Sequence, residues 1–529
     1  MDIDILIRGG RVHDGAGDEP FIGDVAISGD RIAFITKNGV RFTGKAGRVI
    51  DAGDLSVSPG FIDTHAHSEF TLLADGRAEG KIFQGVTTEI NGNCGLSAAP
   101  LYGEAFEHRE NDLRELGITE RWSTFREYLQ LLEKRGPAIN FAALAGHGNI
   151  RASVLGFADR DPDGPEMEQM QHLLLEAVRE GAIGLSTGLI YPPGVYAKTE
   201  EIIGLVRCIK GLIYTSHMRS ESDHLTDAIG EAIRIGRESG IAVHISHLKT
   251  GGRNNWAKID DAISLIESAH ARGLVVTCDR YPYIAASTDL DAVLPPWAYA
   301  GGTEEELKRL GNAAARSVLR NELVSQHPGD DYWNSIAISS MNSESNTWME
   351  GKTISFLSGK ANKEPVDFLL DILIEEKLRI GAIFHSMNED NLRRFLARPY
   401  LMIGSDSSVR STDGPTRRGK PHPRGFGTFP RFIGRYARDL KLMKMGEAIR
   451  KITLLPSLTF GLAGRGQLKE GFYADIVVFD EERIIDRSTF EEPFLKPEGI
   501  HSVLVNGSLV VREGTSTGEK PGRILRHGR

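Results

Sequence analysis

Six side chains with metal-binding chemistry recur at the ends of strand-like runs. His65 and His67 form His-x-His in SPGFIDTHAH, Cys94 sits in NGNCG, His217 in TSHMR, His247 in ISHLK and Asp406 in GSDSS. Imidazole, thiolate and carboxylate together favour zinc among the common ions. Residues two apart on a strand point to the same side, so His65 and His67 can face one ion. Zinc acidifies a bound water to a pKa of about 7 and polarises a carbonyl, chemistry that suits amide hydrolysis without a nucleophilic Ser or Cys. Asp406 is the carboxylate suited to take the water proton and return it to a leaving nitrogen. Singly, each residue has an ordinary explanation: a satisfied structural histidine, a cysteine packed as a small hydrophobe, an aspartate in a turn. Their joint recurrence at the ends of separate runs points to a single metal centre.

The elements that must position them read as alternating strands and helices. Short apolar runs occur in VSPGFIDTHAH, GVTTEINGNCG, INFAALAGHGN, AIGLSTGLIY, LIYTSHMR, AVHISHLK, LVVTCDRYPY and LMIGSDSS. Between them lie segments with helical apolar spacing, such as STFREYLQLLEKRG and IDDAISLIESAHARG. This βα alternation predicts an α/β fold, a closed (β/α)8 TIM-type barrel with its functional side chains at the C-terminal strand ends. IGAIFHSM is a ninth candidate for eight places, so one run belongs elsewhere. Strand-like texture at both ends, in DILIRGGRV and DVAISGD and again in ADIVVFD and HSVLVNGSLVV, predicts a small β-sandwich domain built from residues 1–57 and 466–529. The barrel then spans 58–465. The stretch 288–353 breaks the rhythm and reads as an insertion on the catalytic face.

A net charge of −9 argues against nucleic-acid or anionic-membrane partners, which require a basic surface. The basic run TRRGKPHPR therefore reads as a loop near the mouth of the site. Three cysteines, Cys94, Cys208 and Cys278, make no disulfide framework. MDIDILIRGG lacks the organisation of a signal peptide, and no apolar run is long enough to span a membrane. The expectation is a cytoplasmic protein, monomeric or a small homo-oligomer, with a small-molecule substrate.

SPGFIDTHAH, NGNCGLSAAP, STGLIYPPGVYA, TSHMRSE, ISHLK, DRYPY, GSDSS and HPRGFGTFPRF, in this order, resemble the D-aminoacylase (N-acyl-D-amino acid deacylase) branch of the amidohydrolase superfamily. The resemblance spans nearly the whole chain. His-x-His marks only the superfamily, whereas NGNCG with HPRGFGTFPRF is far more specific. It implies hydrolysis of N-acyl-D-amino acids, a tight zinc site at Cys94, His217 and His247, and a second, weaker position at His65, His67 and Asp406 that Cys94 bridges. It also implies that Lys249, Tyr281, Ser287 and Arg417 hold the substrate carboxylate or neighbouring polar atoms, with Tyr191 near the scissile carbonyl. Relatives preferring D-glutamate resemble one another in an Arg just before LPPW. This chain has Ala292 and Val293 there, which favours neutral or hydrophobic substrate side chains. Two other readings stand beside this one: an amidohydrolase acting on another linear or cyclic amide, and an inactive scaffold. The fourth run has no Lys to be carboxylated as in hydantoinases, and all six metal-site positions are filled.

Overall fold

The computed structural model describes residues 3–37 and 40–528. Eight parallel strands follow the predicted runs: Phe61–Asp63, Val86–Asn91, a split strand at Asn140–Ala143 and Ala145–Gly146, Gly184–Gly188, Ile213–His217, Ala242–Ile245, Val276–Arg280 and Leu401–Ile403. Each pairs in parallel with the next, and the last pairs with Val276–Arg280. The cylinder closes where Ala66 bridges Ser407 in parallel, with the Asp406 amide donating to the His65 carbonyl at 2.7 Å. The strands are almost wholly buried, as a sheet covered on its outer face by helices and filled within requires.

The covering helices carry their own signals. Phe125–Arg135 and Gly164–Glu180 both begin with capping boxes, Thr124 with Glu127 and Asp163 with Glu166. Leu225–Ser239 turns Leu225, Ala228, Ile229, Ala232, Ile233 and Ile235 to the core and stops at Gly240 in a left-handed conformation. The resulting shell joins the barrel in one large hydrophobic core.

Strands from both termini share one mixed nine-stranded sheet, in which Ser56–Pro59 pairs on one side with Ile3–Val12 and on the other, antiparallel, with Ile476–Phe479. The sheet curls so that Ile7, Val25, Ile27 and Val57 pack with Ile476, Val478 and Leu504, giving the sandwich its interior. The excursion before the last barrel strand is wider than the stretch 288–353. Its three-stranded antiparallel sheet is made of Ala286–Asp289, Gly381–Phe384 and Ile336–Ser340, and its own core includes Leu290, Leu319, Trp333, Leu369 and Ala382. IGAIFHSM, the surplus ninth run, supplies the central strand of this side sheet.

Candidate metal centre

All six predicted side chains converge at the C-terminal mouth of the barrel. Three triplets have ligand atoms within 4.8 Å of one another: His65, His67 and Cys94; Cys94, His217 and His247; and His65, His247 and Asp406. Cys94 Sγ lies 3.2 Å from His65 Nε2 and 3.5 Å from His247 Nε2, placing the sulfur between two groups of nitrogens. Asp406 Oδ1 faces His67 Nε2 at 3.3 Å and His65 Nε2 at 3.6 Å.

The backbone is strained where these ligands are presented. Cys94, His247 and Asp406 have φ of 55°, 35° and 51°, a region costly for non-glycine residues and typical of functional sites. Two glycines provide the room. A Cβ on Gly188 would lie 2.0 Å from the Cys94 carbonyl oxygen, and one on Gly404 would lie 2.5 Å from the His65 Cβ. Larger residues there would push Cys94 or the barrel seam out of place.

Protonation favours metal ligation. Burial alone would raise the Cys94 thiol, but the neighbouring His65 charge and the contact with His247 reverse this and hold it well below its ordinary value. Burial lowers His217, and both its ring nitrogens are buried without a hydrogen-bond partner. A neutral imidazole with an unclaimed lone pair beside a thiolate is a fit for a cation. Asp406 is likewise held well below its ordinary value against burial, by Arg424 first and then by His67 and His65.

Behind the ligands stand carboxylates that the sequence reading did not single out. Asp279 Oδ2 accepts from His65 Nδ1 at 3.3 Å and His244 Nε2 at 2.8 Å, while its Oδ1 accepts from the His247 amide at 2.6 Å. Glu221 Oε1 meets His247 Nδ1 at 2.6 Å and also pairs with Lys249. Such partners orient a ligating ring and fix its tautomer. Both acids lie within quoted motifs, Asp279 in DRYPY and Glu221 in TSHMRSE, and that proximity was the available signal.

The predicted substrate groups are placed unevenly. Lys249 is buried beside the cluster, with Nζ 2.8 Å from His247 Nδ1. Tyr281 is fully buried; its hydroxyl has no hydrogen-bond partner, and its ring lies under the guanidinium of Arg424 at 4.6 Å. Ser287 stands on the first strand of the side sheet, and its carbonyl accepts from Arg424 Nη2 at 3.3 Å. Tyr191 packs edge-on against His217, with ring centroids 4.9 Å apart, and its hydroxyl contacts Thr288 Oγ1 at 3.2 Å. Burial and the nearby Cys94 charge push the Tyr191 hydroxyl well up, so it remains a neutral donor. Arg417 differs from expectation. The Gly- and Pro-containing loop after Asp406 carries it to the surface, exposed and over the Phe494 ring at 5.3 Å. The buried cation beside Asp406 is Arg424 instead, 5 % exposed, from the HPRGF motif.

A closed (β/α)8 barrel with a histidine, cysteine and aspartate cluster at its mouth defines a hydrolase of the metal-centred barrel class. The Amidohydrolase family model matches residues 48–276 and 365–511, leaving out most of the excursion before the last strand. D-aminoacylase from Alcaligenes xylosoxydans xylosoxydans is 38% identical over 532 residues, covering 99% of this chain and 97% of that protein. A crystal structure of D-aminoacylase superposes with a TM-score of 0.82 at 36% identity, covering 99% of this chain and 100% of that one. N-acyl-D-glutamate deacylase from Bordetella bronchiseptica, crystallised with zinc and a phosphonate mimic of the tetrahedral intermediate, gives a TM-score of 0.83 at 32% identity, with the same coverage. The chain belongs to the amidohydrolase family, in its D-aminoacylase branch.

Proposed function

We propose that this protein is a zinc-dependent deacylase that hydrolyses N-acyl-D-amino acids to a carboxylate and a free D-amino acid. The observation that carries the reading is the convergence of His65, His67, Cys94, His217, His247 and Asp406 on one point of the barrel mouth, with Cys94 common to two ligand triplets. Cys94, His217 and His247 would hold the tight ion. His65, His67 and Asp406 would form a weaker position bridged by the Cys94 sulfur. Zinc, when bound, supplies a Lewis acid that acidifies water and polarises the amide carbonyl.

The protein's own groups do the rest. Asp406 accepts the proton of the attacking water and delivers it to the departing nitrogen, completing the cleavage of the C–N bond. Tyr191 donates its hydroxyl proton in a hydrogen bond toward the carbonyl oxygen as charge grows there. Lys249, Tyr281 and Ser287 would hold the substrate carboxylate. A cation and neutral donors in a buried setting suit that group. The positions just before LPPW carry Ala292 and Val293 rather than an Arg, which supports a neutral or apolar D-side chain.

The test is release of free amine from paired N-acetyl-D- and N-acetyl-L-amino acids by zinc-replete protein. Turnover limited to the D series, greatest for apolar side chains, is the expected result. Equal rates on both series, or activity confined to cyclic amides, overturns the reading.

A further inference from the structure

Strand alternation gives Asp279 and Arg280 opposite destinations. Asp279 turns into the barrel toward His65 and His247, whereas Arg280, the last residue of the seventh strand, turns outward beneath the helix Glu389–Leu396. Three buried cations stand on this side of the barrel mouth, and two have carboxylates: Lys249 pairs with Glu221, and Arg424 with Asp406 at 2.9 Å. Arg280 is the most deeply buried of the three, at 1 % exposed, and among the described residues no carboxylate pairs with it. Its Nη2 donates to the Tyr283 carbonyl at 3.0 Å and meets the Met387 sulfur at 2.7 Å, while Nε and Nη1 are buried with no hydrogen-bond partner. The Tyr281 ring offers its π face at 4.3 Å, but Arg424 shares that ring at 4.6 Å. Arg280 lines a cavity of about 10 Å³ with Thr250, Met387, Asn388, Asn391 and Phe395, and no acidic side chain lines it. The Thr250 hydroxyl accepts from Asn391 Nδ2 at 3.0 Å, so its own proton is free to be donated. Asn388, only half-buried, forms the solvent side.

We propose that Arg280 forms a binding site for one small monovalent anion, of the size of chloride, between the seventh barrel strand and the helix Glu389–Leu396. The driving force is electrostatic. A guanidinium keeps its proton at any ordinary pH, so, unlike a buried lysine, it cannot escape burial by becoming neutral. An unpaired buried charge is among the costliest features a fold can hold, and native structures resolve it with a counter-charge or an ordered ion. The neighbouring carboxylates Glu221 and Asp406 are already committed to Lys249 and Arg424. The cavity meets the remaining requirements with a fixed cation, a hydroxyl that can donate and no competing acid. Its volume admits a single small ion, but neither a tetrahedral oxyanion nor a carboxylate with an amino acid attached. The site is thus separate from the place proposed for substrate, although Lys249 borders it.

Bromide, a chloride substitute with an anomalous X-ray signal, is the probe. Crystals of the zinc-loaded protein soaked in sodium bromide are expected to show an anomalous peak in the cavity, within hydrogen-bond range of Arg280, and crystals of Arg280→Met none. In solution, thermal unfolding is followed as sodium chloride or bromide replaces sodium gluconate at constant ionic strength. The wild-type midpoint is expected to rise by about 2 °C, because the ion binds only the folded state, and Arg280→Met to show no halide-specific rise. If Arg280→Met does not fold, the two wild-type measurements still decide, and Thr250→Val, which removes one donor from the cavity, is expected to halve the rise. Bromide peaks elsewhere with none at Arg280 overturn the proposal and leave ordered water as the partner. A peak at Arg280 without a halide-dependent midpoint in solution marks an adventitious ion only and overturns it equally. Neither measurement uses substrate, so the outcome is independent of turnover on N-acyl-D-amino acids.

Discussion

Asp279→Asn tests how the ligand set is aligned. The carboxylate is fully buried and held well below its ordinary value, burial being outweighed by His65 and His244. One oxygen serves the His247 amide at 2.6 Å, and the other serves His65 at 3.3 Å and His244 at 2.8 Å. In the Asn variant the side-chain carbonyl keeps the shortest bond, to the His247 amide, so its NH2 group faces the two imidazoles. His244 can exchange tautomers because its other nitrogen contacts the Thr277 hydroxyl at 2.9 Å, which donates or accepts. His65 has no such freedom. If Nδ1 accepts from the introduced NH2 group, the ring proton moves to Nε2, the nitrogen that points at Cys94 and the metal position. Loss of this kind of support lowers metal affinity by about 10–100-fold, equivalent to about 1.4–2.8 kcal/mol. The assay is competition for zinc between the variant and a chelator of known affinity, with His244→Gln as control because it breaks a bond to the same carboxylate without touching a ligand. Affinity within twofold of wild type, or an equal loss in the control, would refute the tautomer argument.

Asp406→Asn should lower kcat by about 10²–10⁴-fold, the usual scale of general acid–base catalysis, while dialysed protein keeps its tight ion; near-wild-type turnover would remove the proton-transfer role. Lys81 is fully buried, with Nζ 2.7 Å from Asp63, 2.8 Å from Glu89 and 2.7 Å from Ser405. Lys81→Met strands two carboxylates at the barrel seam and should cost about 3–5 kcal/mol in denaturant unfolding; a loss below about 1 kcal/mol would mean that the network is not holding the seam. Glu306, in the excursion, is pushed up to about 8 by burial and by Asp291, and its Oε1 is buried without a partner. The folded state holds this proton more tightly than the unfolded chain, so the stability it confers is full below pH ~4.5 and lost as pH rises through ~8. Glu306→Gln should therefore raise the unfolding midpoint at pH ~8.5 and leave it nearly unchanged at pH ~4.5. The opposite order would refute the assignment.

The barrel was legible because its signals are local. Each strand is a short apolar run, and each candidate ligand lies at or just past the end of one, so the six side chains that cluster at the mouth could be named from GFIDTHAH to GSDSS before any contact was known. What escaped depends on contacts between segments far apart in the chain. Ala286–Asp289 pairs with Gly381–Phe384 across the whole excursion, and no periodicity announces that pairing, so the stretch 288–353 fell short at both ends. Arg417 and Arg424 lie in one basic run, and only the path of the loop decides which of them turns inward. Asp279 and Glu221 look like ordinary strand-end or loop acids until three-dimensional closure sets them behind His65 and His247.

The sheet shared by both termini bears on how the protein is made. A ribosome that has reached residue 470 has synthesised every barrel strand, yet not Ile476–Phe479, the antiparallel partner of Ser56–Pro59. Nor has it made the segment that brackets the third barrel strand, where the Phe141 amide donates to the Arg523 carbonyl and the Leu525 amide to the Phe141 carbonyl. Until those residues emerge, an early strand exposes an unpaired edge and the base of the barrel lacks its seal, conditions that favour pairing with other nascent chains. Completion of the native structure therefore waits until Ile476–Phe479 and the segment around Arg523 have left the ribosome, and slower translation should do less for the yield of this protein than a chaperone that shields its early strands.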